Sequence, residues 1–437
     1  MSRGRFAAWT VVFCCLALIS LSRAVSAQSE LRIARPLDGA TVRETVNVLV
    51  PVSCVPEGGF ITCAVDGRFK SAGSAKSQDG RYFVYRWDTK AVETSLETGT
   101  ELGRARDGRH LIAVRVHDSS GKSVGSEKRI TVYVKNNASA DMPAGGLKLR
   151  YRNKAGIGNK YKFKYSIDLK SIRGATNITA SLGEAVEGAE GVIRRSVEDV
   201  LPDGTALVRQ KLTGMLLTYQ GGQVIPAAGI VPKAYYEIED SLGRIVHVMS
   251  SSSPGTAASV DLPNLPAQQV RIGDTWILRD KVFRNAVTGD SVALGGTGAL
   301  EGLEWEGGHP CAKIRTSFSG TIKLPFSSVL TEPMAVSGET VTYFAYRVGK
   351  VISSVTTAVA EPNLSEEIVS NLSRSLLSQT GSQASAVYMP TELLGTPAME
   401  GPRASYTTGA QAGTAGGTDK QTVKVKLQIT QSLELVP

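Results

Sequence analysis

The chain has 437 residues, with 42% apolar and 20% charged side chains, so it can bury a sizeable core and is not broadly disordered. Its 49 basic and 40 acidic residues give a formal charge of +9, which permits attraction to anionic surfaces without demanding it. Five Cys and four His leave little material for metal clusters or a disulfide-dense miniprotein. At ~100–200 residues per domain, two or three domains are expected.

Residues 1–27 have the three parts of a secretory signal. Arg3 and Arg5 start it, Phe6 to Leu21 is apolar, and Val25-Ser26-Ala27 precedes a cut that leaves Gln28 first. The apolar run is shorter than the ~20 residues a transmembrane helix needs. Cys14 and Cys15 lie inside the run, which argues against a lipid-attachment cysteine. The leader holds three arginines (Arg3, Arg5 and Arg23) and no acid, so its removal brings the charge from +9 to +6. The expected location is secreted or periplasmic, with no transmembrane span in the mature chain.

Cys54, Cys63 and Cys311 then remain. A two-residue hairpin turn centred on Gly58-Gly59 would set Cys54 opposite Cys63 at a non-hydrogen-bonded pair, where strands approach most closely. The same register would place Pro56 where its missing N–H costs nothing. This predicts a Cys54–Cys63 disulfide, with Cys311 a buried small hydrophobe.

From Leu31 to Val134 short strands alternate with turns. Val46, Val48 and Val50 alternate with other residues, Tyr82 to Trp87 is rich in aromatics, and Leu111 to Val116 and Ile130 to Val134 follow. About seven short strands in ~100 residues is the signature of a β-sandwich. The ordered motifs P-L-D-G-A-T-V (36–42), V-D-G (65–67), R-W-D-T (86–89), D-G-R-H-L-I-A-V-R-V-H-D-S-S-G (107–121) and a final V-Y-V resemble a bacterial immunoglobulin-like domain over 31–135. The resemblance implies an extracytoplasmic spacer, adhesion or accessory module. An insertion around 93–106 departs from the pattern. Residues 136–146 lack apolar periodicity and read as a linker.

Residues 147–360 are again rich in strands, with a loose internal duplication. Gly158-Asn159-Lys160-Tyr161 resembles Gly273-Asp274-Thr275-Trp276, 197–214 resembles 299–320, and the hairpin 235–248 resembles 343–355. Two similar antiparallel units building one sheet or half-barrel are expected. The stretch 262–276, with V-R-I-G-D-T-W, resembles a recurring feature of bacterial secreted β-domains of unknown function; that implies a fold and no activity. Ser365, Glu366 and Glu367 followed by Ile368, Val369, Leu372, Leu376 and Leu377 predict a short amphipathic helix. Residues 379–419 are rich in Gly, Ser, Thr, Ala and Pro and read as flexible. Val423, Val425, Leu427 and Ile429 then alternate with polar residues as a strand. The predicted fold class is therefore all-β. An immunoglobulin-like sandwich is followed by a larger duplicated antiparallel domain (147–360 plus 421–437), with a helix and loop inserted at 361–420.

Among residues that could carry chemistry, Lys148, Arg150, Arg152, Lys160, Lys162 and Lys164 form a basic run with interleaved Tyr151, Tyr161 and Phe163. Period-2 alternation makes these the solvated faces of two strands that guard an edge, and the sharper reading is a patch for anionic glycans or lipid head groups. His110 and His117, seven apart on one strand, fall on opposite faces and are not a metal pair. Asp118 with Asp66 or Asp88 offers calcium-type ligands at a sandwich end, although Asp66 and Asp118 also fit turns. Ser119 and Lys122 fit S-x-x-K in a turn, and G-x-S-x-G and H-E-x-x-H are absent. Glu301, Glu304 and Glu306 are the carboxylates that a hydrolase could use. The reading that follows is a non-enzymatic exported binding or scaffold protein of the bacterial envelope. It needs no cofactor or metal and takes a protein, glycan or lipid partner, not nucleic acid. The alternatives are a periplasmic carrier holding a lipid or apolar ligand in a curved sheet, and a hydrolase with dispersed carboxylates.

Overall fold

The computed structural model describes residues 30–94, 100–171, 186–219, 222–226, 234–249, 262–284, 291–322, 334–361, 363–365 and 422–436. The predicted leader lies outside them, as does nearly all of the 361–420 insertion. The described chain is all-β. Its only helical turns are Val52–Cys54 and Ser139–Asp141. It divides between Asn137 and Ala138 into two compact units.

The first unit is a sandwich. Its strands are β1 (Ala40–Val42), β2 (Thr45–Pro51), β3 (Phe60–Val65), β4 (Arg68–Gly73), β5 (Tyr82–Asp88), β6 (Glu93–Thr94), β7 (Glu101–Gly103), β8 (Gly108–His117) and β9 (Ser123–Val134). One sheet runs β1-β9-β8-β3-β4 and the other pairs β2 with β5; β6 and β7 form a small hairpin in the 93–106 insertion. The period-2 residues converge between the sheets: Val46, Val48 and Val50 from β2, Ile61, Cys63 and Val65 from β3, and Val114, Val116, Val132 and Val134 from β8 and β9. Phe83 and Trp87 of β5 close that core. Full burial of each such side chain stabilises the fold by roughly 1.5–3 kcal/mol.

The Cys54–Cys63 disulfide is not formed; both are buried, unbridged thiols. A turn does form, but one residue earlier than expected: Gly59 N–H donates to Pro56 O at 3.0 Å, which centres it on Glu57-Gly58 and not on Gly58-Gly59. Its flanks belong to different sheets, however. Chain entering from β2 winds through the Val52–Cys54 turn, while Cys63 pairs in register with Val114 of β8 and Ser71 of β4. The turn is a crossover between layers, so Cys54 and Cys63 are not cross-strand neighbours. The Cys54 thiol reaches Glu30 O instead, at 3.4 Å.

The second unit is dominated by one 13-stranded sheet. Its strands are β10 (Gly158–Ser171), β11 (Val186–Val200), β12 (Ala206–Tyr219), β13 (Val224–Pro226), β14 (Ala234–Glu239), β15 (Ile245–Met249), β16 (Thr275–Arg284), β17 (Ser291–Glu306), β18 (His309–Ile322), β19 (Met334–Ala345), β20 (Lys350–Glu361), β21 (Asn363–Ser365) and β22 (Thr422–Val436). The order is β15-β14-β12-β11-β10-β22-β20-β19-β18-β17-β16, with short β13 and β21 on β12 and β22. Two antiparallel meanders therefore stand side by side, β10 to β15 and β16 to β20, joined by β22. Their openings, hairpins and turns fall where the sequence repeats. Ser365 lies in β21, paired with Thr422, and the helix predicted to follow it lies outside the described residues.

One face of this sheet is packed. Tyr161, Phe163, Ile193, Trp276, Leu278, Leu300, Leu303, Ile314, Phe344 and Leu433 share a core with Leu147, Leu149, Tyr151, Leu265 and Val270. The last five come from two extended segments laid over the sheet. Leu147 and Val270 exchange both backbone hydrogen bonds, at 2.8 and 3.0 Å. Gly298 of β17 leaves room for the Trp276 indole; a Cβ there would run into the ring. Residues 138–146, part of the stretch 136–146 read as linker, are seated in this unit. Ala138 is 2% exposed and donates to Leu303 O.

Candidate functional site: a cationic cavity beside a buried ionic cluster

The covering segment leaves the sheet surface after Tyr151, whose N–H donates to Ser241 O. Arg152 N–H then donates to Gly349 O in the β19–β20 turn at 3.2 Å. Gly349 has φ +68 and lies against the Arg152 backbone, so the approach requires glycine there. Beneath this crossing lies a cavity of about 200 Å³. Its wall carries Arg152, Lys154, Arg195 and Lys350 and no carboxylate. Asn153, Asn159 and Tyr161 add polar atoms, and Ile157, Val197, Leu262 and Val348 add apolar surface.

Arg195 is 4% exposed, on the packed face of β11 between Ile193 and Val197. Its charge is met by Glu239, which accepts from Arg195 Nη2. Glu239 and Glu237, two apart on β14, share that face and are 2% and 1% exposed. Gln210 Nε2 donates to Glu237 Oε1. Burial, then the neighbouring Glu239, pushes the Glu237 carboxyl up to about 9. At neutral pH Glu237 is thus protonated, and its proton can bridge to Glu239. One Arg⁺, one Glu⁻ and one neutral acid leave the buried group without net charge.

Two donors in this region have no acceptor: Arg195 Nε and Asn153 Nδ2 are both buried and unpartnered. A buried N–H without a partner costs roughly 1–3 kcal/mol. The residues that carry them, Arg195 and Asn153, both line the cavity.

The basic run seen in the sequence divides. Tyr161 and Phe163 are buried while Lys160, Lys162 and Lys164 are exposed, so these lysines lie on the outer face of the sheet. Lys162 pairs there with Glu190 at 3.7 Å. Residues 147–151 are an extended cover and not a sheet strand, so Lys148, Arg150 and Arg152 point away from the opposite side. One continuous patch is therefore not formed. Arg150 is occupied by carbonyls, donating to Leu149 O at 2.6 Å, to Pro266 O at 2.7 Å and to Ala267 O. Of the six residues only Arg152 reaches the cavity.

The other candidates hold structure together. His110 Nδ1 meets Asp66 Oδ2 at 2.7 Å, and its ring packs edge-on against Trp87. Asp66 also accepts from Leu111 N–H at 2.9 Å, linking the V-D-G and D-G-R-H motifs. His117 lies on the other face, within 3.1 Å of Thr62 Oγ1. Asp118 accepts from Ser120 and Lys122 N–H, and Asp88 from Lys90 and Ala91 N–H, so both carboxylates close turns. Glu301 pairs with Arg315, Glu304 with Lys313 at 3.1 Å, and Glu306 accepts from Ser353 Oγ at 3.1 Å.

No family model matches the chain. Over 95 residues, 22% of the chain, it is 34% identical to collagenase ColQ1 of Bacillus cereus (strain Q1). That stretch is 9% of the collagenase's length. Among solved structures, fibronectin(III)-like modules of Clostridium thermocellum CbhA cover 24% of this chain and 96% of theirs, at 15% identity and a TM-score of 0.16. A Bacteroides ovatus protein, SGBP-B of a mixed-linkage glucan utilization locus, in complex with a mixed-linkage heptasaccharide, covers 74% of this chain and 66% of its own. Its identity is 11% and its TM-score 0.13. Neither adds to the architecture described above. No described helix is long and apolar enough to cross a membrane.

Proposed function

We propose that this is an exported, non-enzymatic binding protein of the bacterial envelope or surface. The sandwich serves as an accessory module, and the second unit holds the ligand. The observation that carries this reading is the cavity beside Arg195, whose wall holds four cationic side chains and no carboxylate. The carboxylates a hydrolase would need are otherwise engaged. Glu301 and Glu304 are ion-paired, and Glu237 and Glu239 are spent on Arg195 and on each other. The apolar-carrier form finds less support, because side chains and two covering segments occupy the packed face of the sheet.

The test is to purify the chain from the exported fraction of its native host and compare native with denaturing mass spectra. The expected result is a chain starting at Gln28 that carries a non-covalent mass lost on denaturation. A chain recovered only from the cytosol with residues 1–27 intact would overturn the reading.

A further inference from the structure

We propose that the cavity beside Arg195 is an oxyanion site. It takes one phosphate, sulfate or carboxylate group of the ligand, held among the lining residues Arg195, Asn153, Arg152, Lys154 and Lys350. This deepens the binding reading and rests on it.

Three observations converge. The wall holds four cations, and only Arg195 has a counter-charge among the carboxylates described, Glu239, which lies outside the wall. Arg195 Nη2 is committed to Glu239, which fixes the guanidinium and leaves Nε over. A fixed guanidinium suits oxyanion recognition, because charge-assisted hydrogen bonds are short and roughly twice as strong as neutral ones. The volume of about 200 Å³ lies below the ~300–1,000 Å³ of pockets that engulf whole ligands. The cavity therefore fits a single small group, with the rest of the ligand outside.

Glu239 also makes the fold of this unit independent of a ligand. Without it a buried arginine would need an anion to fold; with it the unit folds first and the anion adds afterwards.

The experiment is isothermal titration of the full chain, at low ionic strength, with inorganic phosphate, inorganic sulfate and glucuronate, and with glucose as the neutral control. Saturable binding of at least one anion and none of glucose is expected. Which anion binds tightest distinguishes a phosphorylated, sulfated or uronic-acid source. Asn153→Asp keeps the side-chain shape and puts a negative charge in the wall; it should weaken binding by at least about tenfold. The double variant Lys154→Ala/Lys350→Ala removes two rim charges without touching the buried cluster. It should weaken binding severalfold and flatten the salt dependence. Circular dichroism checks that each variant is folded; should Asn153→Asp misfold, the lysine pair decides. Absence of saturable binding to wild type at millimolar anion, or unchanged affinity in the folded variants, overturns the proposal. If a neutral ligand co-purifies while all three anions fail, the oxyanion site falls and the binding reading stands.

Discussion

Glu237→Gln should make the second unit more stable at neutral pH, although it alters a buried residue. Glu237 is 1% exposed, and its carboxyl is raised from 4.5 to about 9 by burial and by Glu239. The sign follows from linkage. A carboxyl raised on folding binds a proton that the unfolded chain lacks, so the stability present below pH 4.5 is lost as pH rises toward 9. At about 1.4 kcal/mol per pH unit, the loss is about 3 kcal/mol by pH 7 and about 6 kcal/mol by pH 9. Glutamine avoids this cost. Its amide N–H can donate to Glu239 as the acid proton does, and its carbonyl can accept from Gln210. Wild type should therefore lose stability between pH 5 and 9, while the variant stays flat and gains up to about 3 kcal/mol at pH 7. Urea titration read by hydrogen-exchange mass spectrometry on peptides from β11, β12 and β14 isolates this unit from the sandwich. Wild-type stability that rises with pH, or a variant weaker than wild type by more than about 1 kcal/mol at pH 7, would refute the charge assignment.

Removing the partner of that acid as well should act oppositely. Glu239→Leu leaves Glu237 free to ionise beside Arg195, so the charge is stranded only in Glu237→Gln/Glu239→Leu. That double variant should cost about 3–5 kcal/mol by the same exchange measurement, whereas adding Arg195→Met should recover most of it. Gly298→Val should destabilise the second unit by at least about 1–3 kcal/mol, because the new side chain meets the Trp276 indole; a blue-shifted, unchanged tryptophan spectrum and melt would contradict that. The buried Cys63 thiol, raised to about 12 by desolvation, should not react with a thiol reagent at pH 8 in the native protein; after denaturation without reductant both Cys54 and Cys63 should be alkylated. Finding the two linked would refute their assignment as unbridged thiols.

Alternation made much of this molecule legible. Val46, Val48 and Val50, or Tyr161 and Phe163 against their lysines, name a strand and its buried face without any partner being known. Partners are another matter. A turn in the Pro56–Gly59 stretch is local chemistry, but whether its flanks pair or part into two sheets depends on β8 and β5, which lie far along the chain. That is why a plausible hairpin led to a wrong disulfide. The site was hidden for a related reason. In Y-Y-E-I-E-D the glutamates look like the solvent side of a hairpin, yet Glu237 and Glu239 face inward, on the face that carries Arg195. A faint signal existed. Arg195 interrupts the stripe Ile193-x-Arg195-x-Val197, and Gln210 interrupts Ala206-x-Val208-x-Gln210. Polar residues breaking apolar stripes on adjacent strands point to a buried polar cluster, provided that the strands are known to be adjacent.

The account turns on whether an anion reaches Arg195. With ¹⁵N-labelled arginine, the Arg195 Nε–H resonance can be assigned from an Arg195→Lys spectrum and followed as phosphate, sulfate or glucuronate is added. A saturable shift of that resonance, absent with glucose and weakened in Asn153→Asp, is the predicted result. Shifts confined to surface arginines and rising without saturation, while the Arg195 signal stays fixed, would contradict it.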